Sequence, residues 1–147
     1  MAKRIEKELA ELTKNPPAWL KTKLAGDNVR EWKVQLTGPE SSPYEGGLFA
    51  LTVKLPDDYP FKPPKVNFDT KVWHPSINVA DGTICVGILD SEWSPQSKIF
   101  DVMLVLRQLL AEPNPDHPFN VDAAQELQTN KTKFNQTSKD WTKKYAK

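Results

Sequence analysis

Cysteine is almost absent from this sequence, since Cys85 is the only one in 147 residues. A single cysteine excludes an internal disulfide, which is typical of a protein from a reducing compartment. One cysteine and two histidines also cannot supply the several ligands at fixed spacing that a structural zinc site needs. The sequence therefore predicts neither a disulfide nor zinc as a source of stability.

The sequence also lacks long apolar runs and phosphate-binding motifs, and neither sign of charge predominates. The sequence contains no run of about 18 apolar residues, so no membrane span is expected. The N-terminus also lacks the apolar core of a signal peptide. Neither Gly-x-x-x-x-Gly-Lys nor Gly-x-Gly-x-x-Gly is present. Twenty basic and 19 acidic residues are interspersed along the chain, which argues against a nucleic-acid surface. We therefore expect neither a membrane nor a nucleic acid as a partner.

Proline is the residue in excess, with 13 in the chain, about twice the average frequency. The two main clusters span residues 56–64 and 113–118. Because proline fixes φ and removes a backbone donor, these clusters predict stiff loops rather than flexible linkers. The length and the absence of linkers favour one domain over residues 1–147.

Alternation of apolar and polar residues predicts a sheet. The predicted strands cover residues 32–37, 49–55 and 66–68, with a weaker candidate at 19–25. The turns between them are short and contain Gly38-Pro39 and Gly46-Gly47, which favours neighbouring strands that run antiparallel. We expect a four-stranded antiparallel meander.

Helical periodicity predicts the other elements. Helices are expected over residues 2–14 and 98–110, and near 121–129 and 131–145. Nine apolar residues among the thirteen of the second helix predict a central helix that is apolar almost all round. Asn120 and Asn130 are placed as N-caps of the last two helices. The fold class is therefore α+β, with the meander packed on the central helix, one N-terminal helix and two C-terminal helices.

Four motifs resemble those of ubiquitin-conjugating enzymes. In chain order they are YPFKPPKV (59–66), HPSIN followed by TICVGIL, SEWSP (91–95) and PNPDHP (113–118). Any one motif is a weak signal, but four in the family's order with near-family spacing are a strong one. The resemblance runs from Lys3 to Tyr145. It also raises the expectation of a cis peptide at Tyr59-Pro60, where an aromatic residue precedes proline.

The resemblance implies that Cys85 is the nucleophile. An activating enzyme would pass the C-terminal glycine of ubiquitin to this sulfur as a thioester, and the acyl group would then move to an amine or to a ligase cysteine. By itself a lone cysteine is more often a small core residue, so this role depends on the resemblance. No cofactor is implied, because ATP is used by the activating enzyme.

The resemblance also implies contact residues. Those for ligases and the activating enzyme are Arg4, Lys7, Phe61, Ser94 and Pro95, and those for ubiquitin are Leu104, Gln108 and Asn114. A solvated helix face is the alternative for Arg4 and Lys7, and core packing is the alternative for Leu104. His74 is expected to fix its loop rather than to act as a base.

The sequence departs from the family where an oxyanion donor is expected. The family's His-Pro-Asn is here His74-Pro75-Ser76, so a shorter hydroxyl replaces the asparagine amide. Losing one such donor typically slows a reaction by about a hundredfold or more. The interval from His74 to Cys85 is also one residue longer than the family pattern, and Asn78 is an alternative amide donor.

Two further departures affect the acids that orient an incoming lysine. Gly87 stands where lysine-directed members carry an acid. The second proline cluster, residues 113–118, which we call the proline-rich gate, has Asp116-His117 where those members carry a pair of acids. An incoming cysteine needs far less help with deprotonation than lysine, whose ordinary pKa is about 10.4. These residues resemble the subgroup that hands ubiquitin only to ligase cysteines.

We therefore expect an active enzyme that prefers HECT or RBR ligases, with RING ligases as a further class of partner. A weakly catalytic ubiquitin-binding scaffold is one alternative. The other is an ordinary lysine-directed enzyme in which Asn78 replaces the family asparagine. A monomer in the cytoplasm, the nucleus or both is expected.

Overall fold

Four strands form one antiparallel meander in the order β1-β2-β3-β4. The computed structural model describes residues 2–84, 93–116 and 118–147, so Cys85, Gly87 and His117 lie outside the described residues. The strands are β1 (Leu20–Leu24), β2 (Glu31–Thr37), β3 (Leu48–Lys54) and β4 (Lys65–Phe68). The predicted meander is confirmed, including the strand that the sequence supported least.

The inner face of the sheet is the main apolar core. In β2, alternate residues Trp32, Val34 and Leu36 are at most 3% exposed, while the residues between them are half-buried. Their partners across the antiparallel register are the equally buried Val53, Leu51 and Phe49 of β3. Because strand side chains alternate between the two faces of a sheet, this register puts the intervening residues of both strands on the outer face.

The described helices match the predicted ones closely. They are α1 (Ala2–Lys14), α2 (Ile99–Ala111), α3 (Val121–Thr129) and α4 (Lys131–Tyr145). Both N-cap predictions are confirmed: Asn120 Oδ1 accepts from the Ala123 amide at 3.0 Å, and Asn130 Oδ1 accepts from the Lys133 amide at 3.2 Å. Each cap satisfies one of the amides that a helix start leaves without an intrahelical partner.

The prediction that α2 is apolar almost all round holds for its composition but is wrong for its burial. Its buried residues are Ile99, Val102, Met103, Leu106, Leu109 and Leu110, a spacing of three and four that marks one helical face. Leu104 lies outside this stripe and is 43% exposed. The helix therefore covers the core with one side and presents apolar surface to solvent on the other.

Two further findings concern the backbone and the length of the helices. The Tyr59–Pro60 peptide bond is cis, as predicted. Among the described residues, no helix is both long and apolar enough to span a bilayer.

Candidate active site

His74 fixes the turn that precedes the predicted nucleophile. Its ring is fully buried, and Nδ1 accepts the Ser76 amide at 2.9 Å. Because Nδ1 is an acceptor, the proton of the neutral ring is on Nε2, which donates to the Leu109 carbonyl at 2.9 Å. Burial lowers the pKa of His74 to about 4, although the Leu109 hydrogen bond opposes the shift. This geometry matches the structural role expected for His74.

Ser76, at the position where the resemblance implies an asparagine, is a buried residue in the turn after His74. The residue has 0% exposure, and its Oγ has no hydrogen-bond partner among the described residues. A buried polar group without a partner usually lowers stability. Because Ser76 has no exposed surface, its hydroxyl is enclosed within the protein rather than presented to solvent.

Asn78 is part of the turn that leads to residue 84. Its Oδ1 accepts the amides of Ala80 at 2.8 Å and Asp81 at 3.3 Å. Its backbone amide also donates to the Thr83 carbonyl at 2.9 Å. These bonds hold the carboxamide against its own turn, which is an Asx-type arrangement.

A glycine-dependent turn lies in segment 79–82, where the resemblance implies one extra residue. Gly82 has a φ of +72°, and a Cβ there would overlap the Phe68 carbonyl. The amide of Phe68 donates to the Gly82 carbonyl at 2.9 Å. Hydrogen bonds from Thr83 lower the pKa of the exposed Asp81 carboxyl. This turn is thus anchored to β4, and an antiparallel bridge between Ile77 and Ile84 closes it.

The proline-rich gate is attached to the same turn. The backbone amides of Phe119 and Asn120 both donate to the Pro75 carbonyl, at 2.8 and 2.9 Å. Within the gate, the Asp116 amide donates to Asn114 Oδ1 at 2.9 Å, and both residues are exposed. The fold therefore joins the His74–Ser76 turn to the gate segment that carries Asp116.

Arg4 is not a solvated residue of α1. Its guanidinium donates to the carbonyls of Pro95 and Ser97 and pairs with Glu8 at 3.1 Å. Lys7 is exposed, so the solvated-face alternative fits Lys7 but not Arg4. Arg4 holds the loop that carries Ser94 and Pro95 against the first helix.

Glu8 is the residue that sequence reasoning missed. It is 5% exposed, and Oε2 accepts the Tyr59 hydroxyl at 2.6 Å while Oε1 accepts the Ile99 amide at 2.9 Å. With Arg4, this carboxylate joins α1, the first proline cluster and the start of α2. Burial and the adjacent Glu8 raise the pKa of Tyr59. A signal was present, because Glu8 falls three residues after Ile5 on the apolar stripe of α1.

A second connection links the two loops expected to contact ligases. Trp93 Nε1 donates to the Pro60 carbonyl at 2.8 Å, and the Trp93 and Tyr59 rings lie 5.7 Å apart. Phe61 is 62% exposed beside this anchor. The loops are therefore fixed while their tips remain accessible.

A family model for ubiquitin-conjugating enzymes matches residues 4–142. The chain belongs to the ubiquitin-conjugating enzyme family. Ubiquitin conjugating enzyme E2 B of Dictyostelium discoideum is 48% identical over 145 residues, which cover 99% of this chain and 97% of that protein.

Solved structures agree with this assignment. The E2 domain of a Toxoplasma gondii ubiquitin conjugating enzyme has a TM-score of 0.93 and 38% identity, with both chains fully covered. A ubiquitin conjugating enzyme from Plasmodium yoelii has the same TM-score and identity, with 98% of this chain and 94% of that chain covered. The protein is therefore a transferase of ubiquitin conjugation, and its family implies ubiquitin, an activating enzyme and ligases as partners.

The predicted ubiquitin contacts of this family member lie on α2 and in the gate. Leu104 and Gln108 are exposed and one helical turn apart, so they share a face. Because Leu104 is exposed, its alternative role in core packing is excluded. Their role in binding ubiquitin, like that of Asn114, stays a prediction.

Proposed function

We propose that this enzyme carries ubiquitin as a thioester on Cys85 and transfers it to ligase cysteines faster than to lysine. Family membership supports the acyl transfer, and Cys85 is the only thiol in the chain. The preference depends on the groups that would assist an amine. The observation that carries it is the buried hydroxyl of Ser76, at the family's asparagine position, which has no hydrogen-bond partner within residues 2–84, 93–116 and 118–147.

An attacking amine needs an oxyanion donor at the thioester carbonyl. Ser76 has a shorter side chain than asparagine, and its hydroxyl is enclosed within the protein. Asn78 is the alternative donor: its carboxamide oxygen accepts two amides of its own turn, and its amide nitrogen is the group that this alternative would use. The enclosed Ser76 hydroxyl favours a site in which the amide donor of the family is missing.

An attacking lysine must also lose a proton. The sequence supplies one gate acid, Asp116, where lysine-directed relatives carry a second acid at the position of His117 and another at that of Gly87. A thiol ionises near pH 8.5, so transthiolation needs these acids much less. The absence of the asparagine amide and of these two acids should slow aminolysis and leave thiol attack nearly unaffected.

Single-turnover discharge of the purified Cys85 thioester, without a ligase, tests the proposal. We expect loss onto free cysteine to exceed loss onto free lysine at equal concentrations of nucleophile. Relative to the triple variant Ser76→Asn/Gly87→Asp/His117→Asp, lysine discharge of the natural enzyme should be slower by about a hundredfold, because losses within one site are rarely additive. Cysteine discharge should differ little.

Two controls make the result interpretable. Cys85→Ala should give no thioester that a reducing agent can cleave. Ser76→Ala should leave lysine discharge unchanged if the serine hydroxyl is not a donor. Equal or faster loss to lysine would instead identify a lysine-directed enzyme, and failure to charge would identify a scaffold.

A further inference from the structure

A cleft lies between α4 on one side and, on the other, the loop of residues 41–45 and the end of α2. It encloses about 730 Å³, and none of its lining residues is among the predicted catalytic or contact residues. We call it the C-terminal cleft. Its apolar lining is half-buried and includes Pro43, Ala111, Pro113 and Leu127. Its charged lining consists of Lys131, Lys139 and Lys143 on α4, with Glu45 and Glu112 on the other side.

The five charged residues of the C-terminal cleft form no ion pairs within the described part of the chain. None of them has an opposite charge within 4.0 Å there. Glu45 is held by a neutral group instead, because its Oε1 accepts the Ser41 amide at 2.7 Å. The cleft therefore has a positive wall, formed by the three lysines of α4, and a negative wall, formed by Glu45 and Glu112, and both walls are available to a ligand.

Two of the three lysines are poorly placed for folding. Lys131 is the first residue of α4, and no acid lies in the first turn of this helix, where the helix dipole disfavours a cation. Lys139 lies four residues before Lys143, and like charges at this spacing on a helix are mildly destabilising. The fold gives no reason for either charge, which indicates a use in binding.

The polar side chains of α4 match the repeat of an extended chain. Lys131, Asn135, Lys139 and Lys143 recur every four residues, and all four line the cleft. Four residues of an α-helix advance by about 6 Å. Side chains on one side of an extended segment recur every two residues, which is about 6.7 Å. Alternate residues of an extended segment that lies along α4 can therefore each meet one of these donors.

We propose that the C-terminal cleft binds an extended segment of a partner protein in which acidic and basic residues alternate. The acids meet the positive wall, and because successive side chains of an extended chain point to opposite sides, the bases meet the negative wall. A polyanion fits this cleft less well, since Glu45 and Glu112 repel it. Among the described lining residues the one aromatic side chain, Phe134, is 1% exposed, which leaves no ring for the stacking that binds single-stranded nucleic acids.

The binding test uses a fluorescent peptide of four Glu-Lys repeats. Its isomer, four glutamates followed by four lysines, has the same composition and net charge. The natural protein should bind the alternating peptide at least about fivefold more tightly than the isomer, because only the alternating order serves both walls along their length. The variant Lys131→Glu/Lys139→Glu should bind the alternating peptide about tenfold more weakly, as expected for two exposed ion pairs. The control Lys21→Glu/Lys23→Glu on β1 makes the same change in net charge and should bind within about twofold of the natural protein.

The negative wall is tested by Glu112→Lys. This variant should bind the alternating peptide about threefold more weakly, as expected for one exposed ion pair. It should bind a peptide of four Glu-Ser repeats more tightly than the natural protein does, because the substitution adds a cation to the cleft. Misfolding cannot produce opposite changes for the two peptides.

A stability measurement on Lys131→Glu separates lost binding from misfolding at the positive wall. The substitution replaces a cation by an acid in the first turn of α4. We expect Tm to rise by about 1–3 °C while affinity for the alternating peptide falls. Amide chemical shifts of the natural protein should respond to this peptide mainly in residues 41–45 and in α4.

Several outcomes would overturn the proposal. Equal binding of the two isomeric peptides, or an equal loss of affinity in the β1 control, would show a net-charge effect. Tighter binding of the Glu-Ser peptide or of sodium triphosphate than of the alternating peptide by the natural protein would show a simple anion site. A fall in Tm of Lys131→Glu would show that this lysine serves the fold rather than a ligand.

Discussion

Two buried polar side chains of this enzyme are in opposite situations. Glu8, at the junction of α1, the first proline cluster and α2, has a partner for both carboxylate oxygens. Ser76, in the turn before Cys85, is just as buried but has no partner for its hydroxyl among the described residues. A fully satisfied buried carboxylate holds several segments in place, whereas an unsatisfied buried hydroxyl holds none and usually lowers stability.

Removing the Glu8 carboxylate should have the largest effect. Glu8→Leu leaves Arg4 Nε, the Tyr59 hydroxyl and the Ile99 amide without their acceptor. We expect the free energy of unfolding to fall by about 3–5 kcal/mol in guanidinium titrations, as when one partner of a buried pair is removed. The exposed neighbour Glu6→Leu is the matched control and should change stability by about 0.5 kcal/mol or less. Similar losses at both positions would show that the carboxylate does not connect these segments.

Protonation of His74 should have the next largest effect. Its folded pKa is about 4 against an ordinary value of 6.5, so the unfolded chain binds the proton more readily. The contribution to stability is therefore complete above about pH 6.5 and is lost as pH falls toward 4. The total is at most about 3 kcal/mol.

The pH effect is measured as the difference between the natural protein and His74→Asn. Guanidinium unfolding of both between pH 7.5 and pH 4.5 should show a steeper loss for the natural protein below about pH 6.5. Parallel pH profiles would mean that His74 is not held neutral by its burial.

Ser76→Ala should have the smallest effect. Because the hydroxyl has no partner among the described residues, its removal should leave stability within about 0.5 kcal/mol or raise it slightly. Ser42→Ala is the matched control: this buried hydroxyl donates to the Pro39 carbonyl at 2.7 Å and accepts the Tyr44 amide at 3.2 Å. Its loss should lower the free energy of unfolding by about 1–2 kcal/mol. A larger loss of stability in Ser76→Ala than in Ser42→Ala would show that the Ser76 hydroxyl stabilises the fold, as the Glu8 carboxylate does.

Sequence reasoning predicted the parts of the site that depend on motif and local geometry. The cis bond at Tyr59-Pro60 and the anchoring role of His74 agree with the structure. The roles of Cys85 and His117 stay predictions, because both lie outside the described residues. The sequence did not predict that Arg4 would hold the loop around Pro95, since the two residues are 91 positions apart.

The sequence by itself determined the strands, the helices and the two asparagine caps. Each depends on residues within a few positions of one another, where side-chain alternation, helical period and capping act locally. Tertiary structure alone decided that Glu8 would bind both Tyr59 and Ile99, and that lysines from four strands would share one face. Such contacts join residues far apart in the chain, so they follow from packing and strand register rather than from any local pattern.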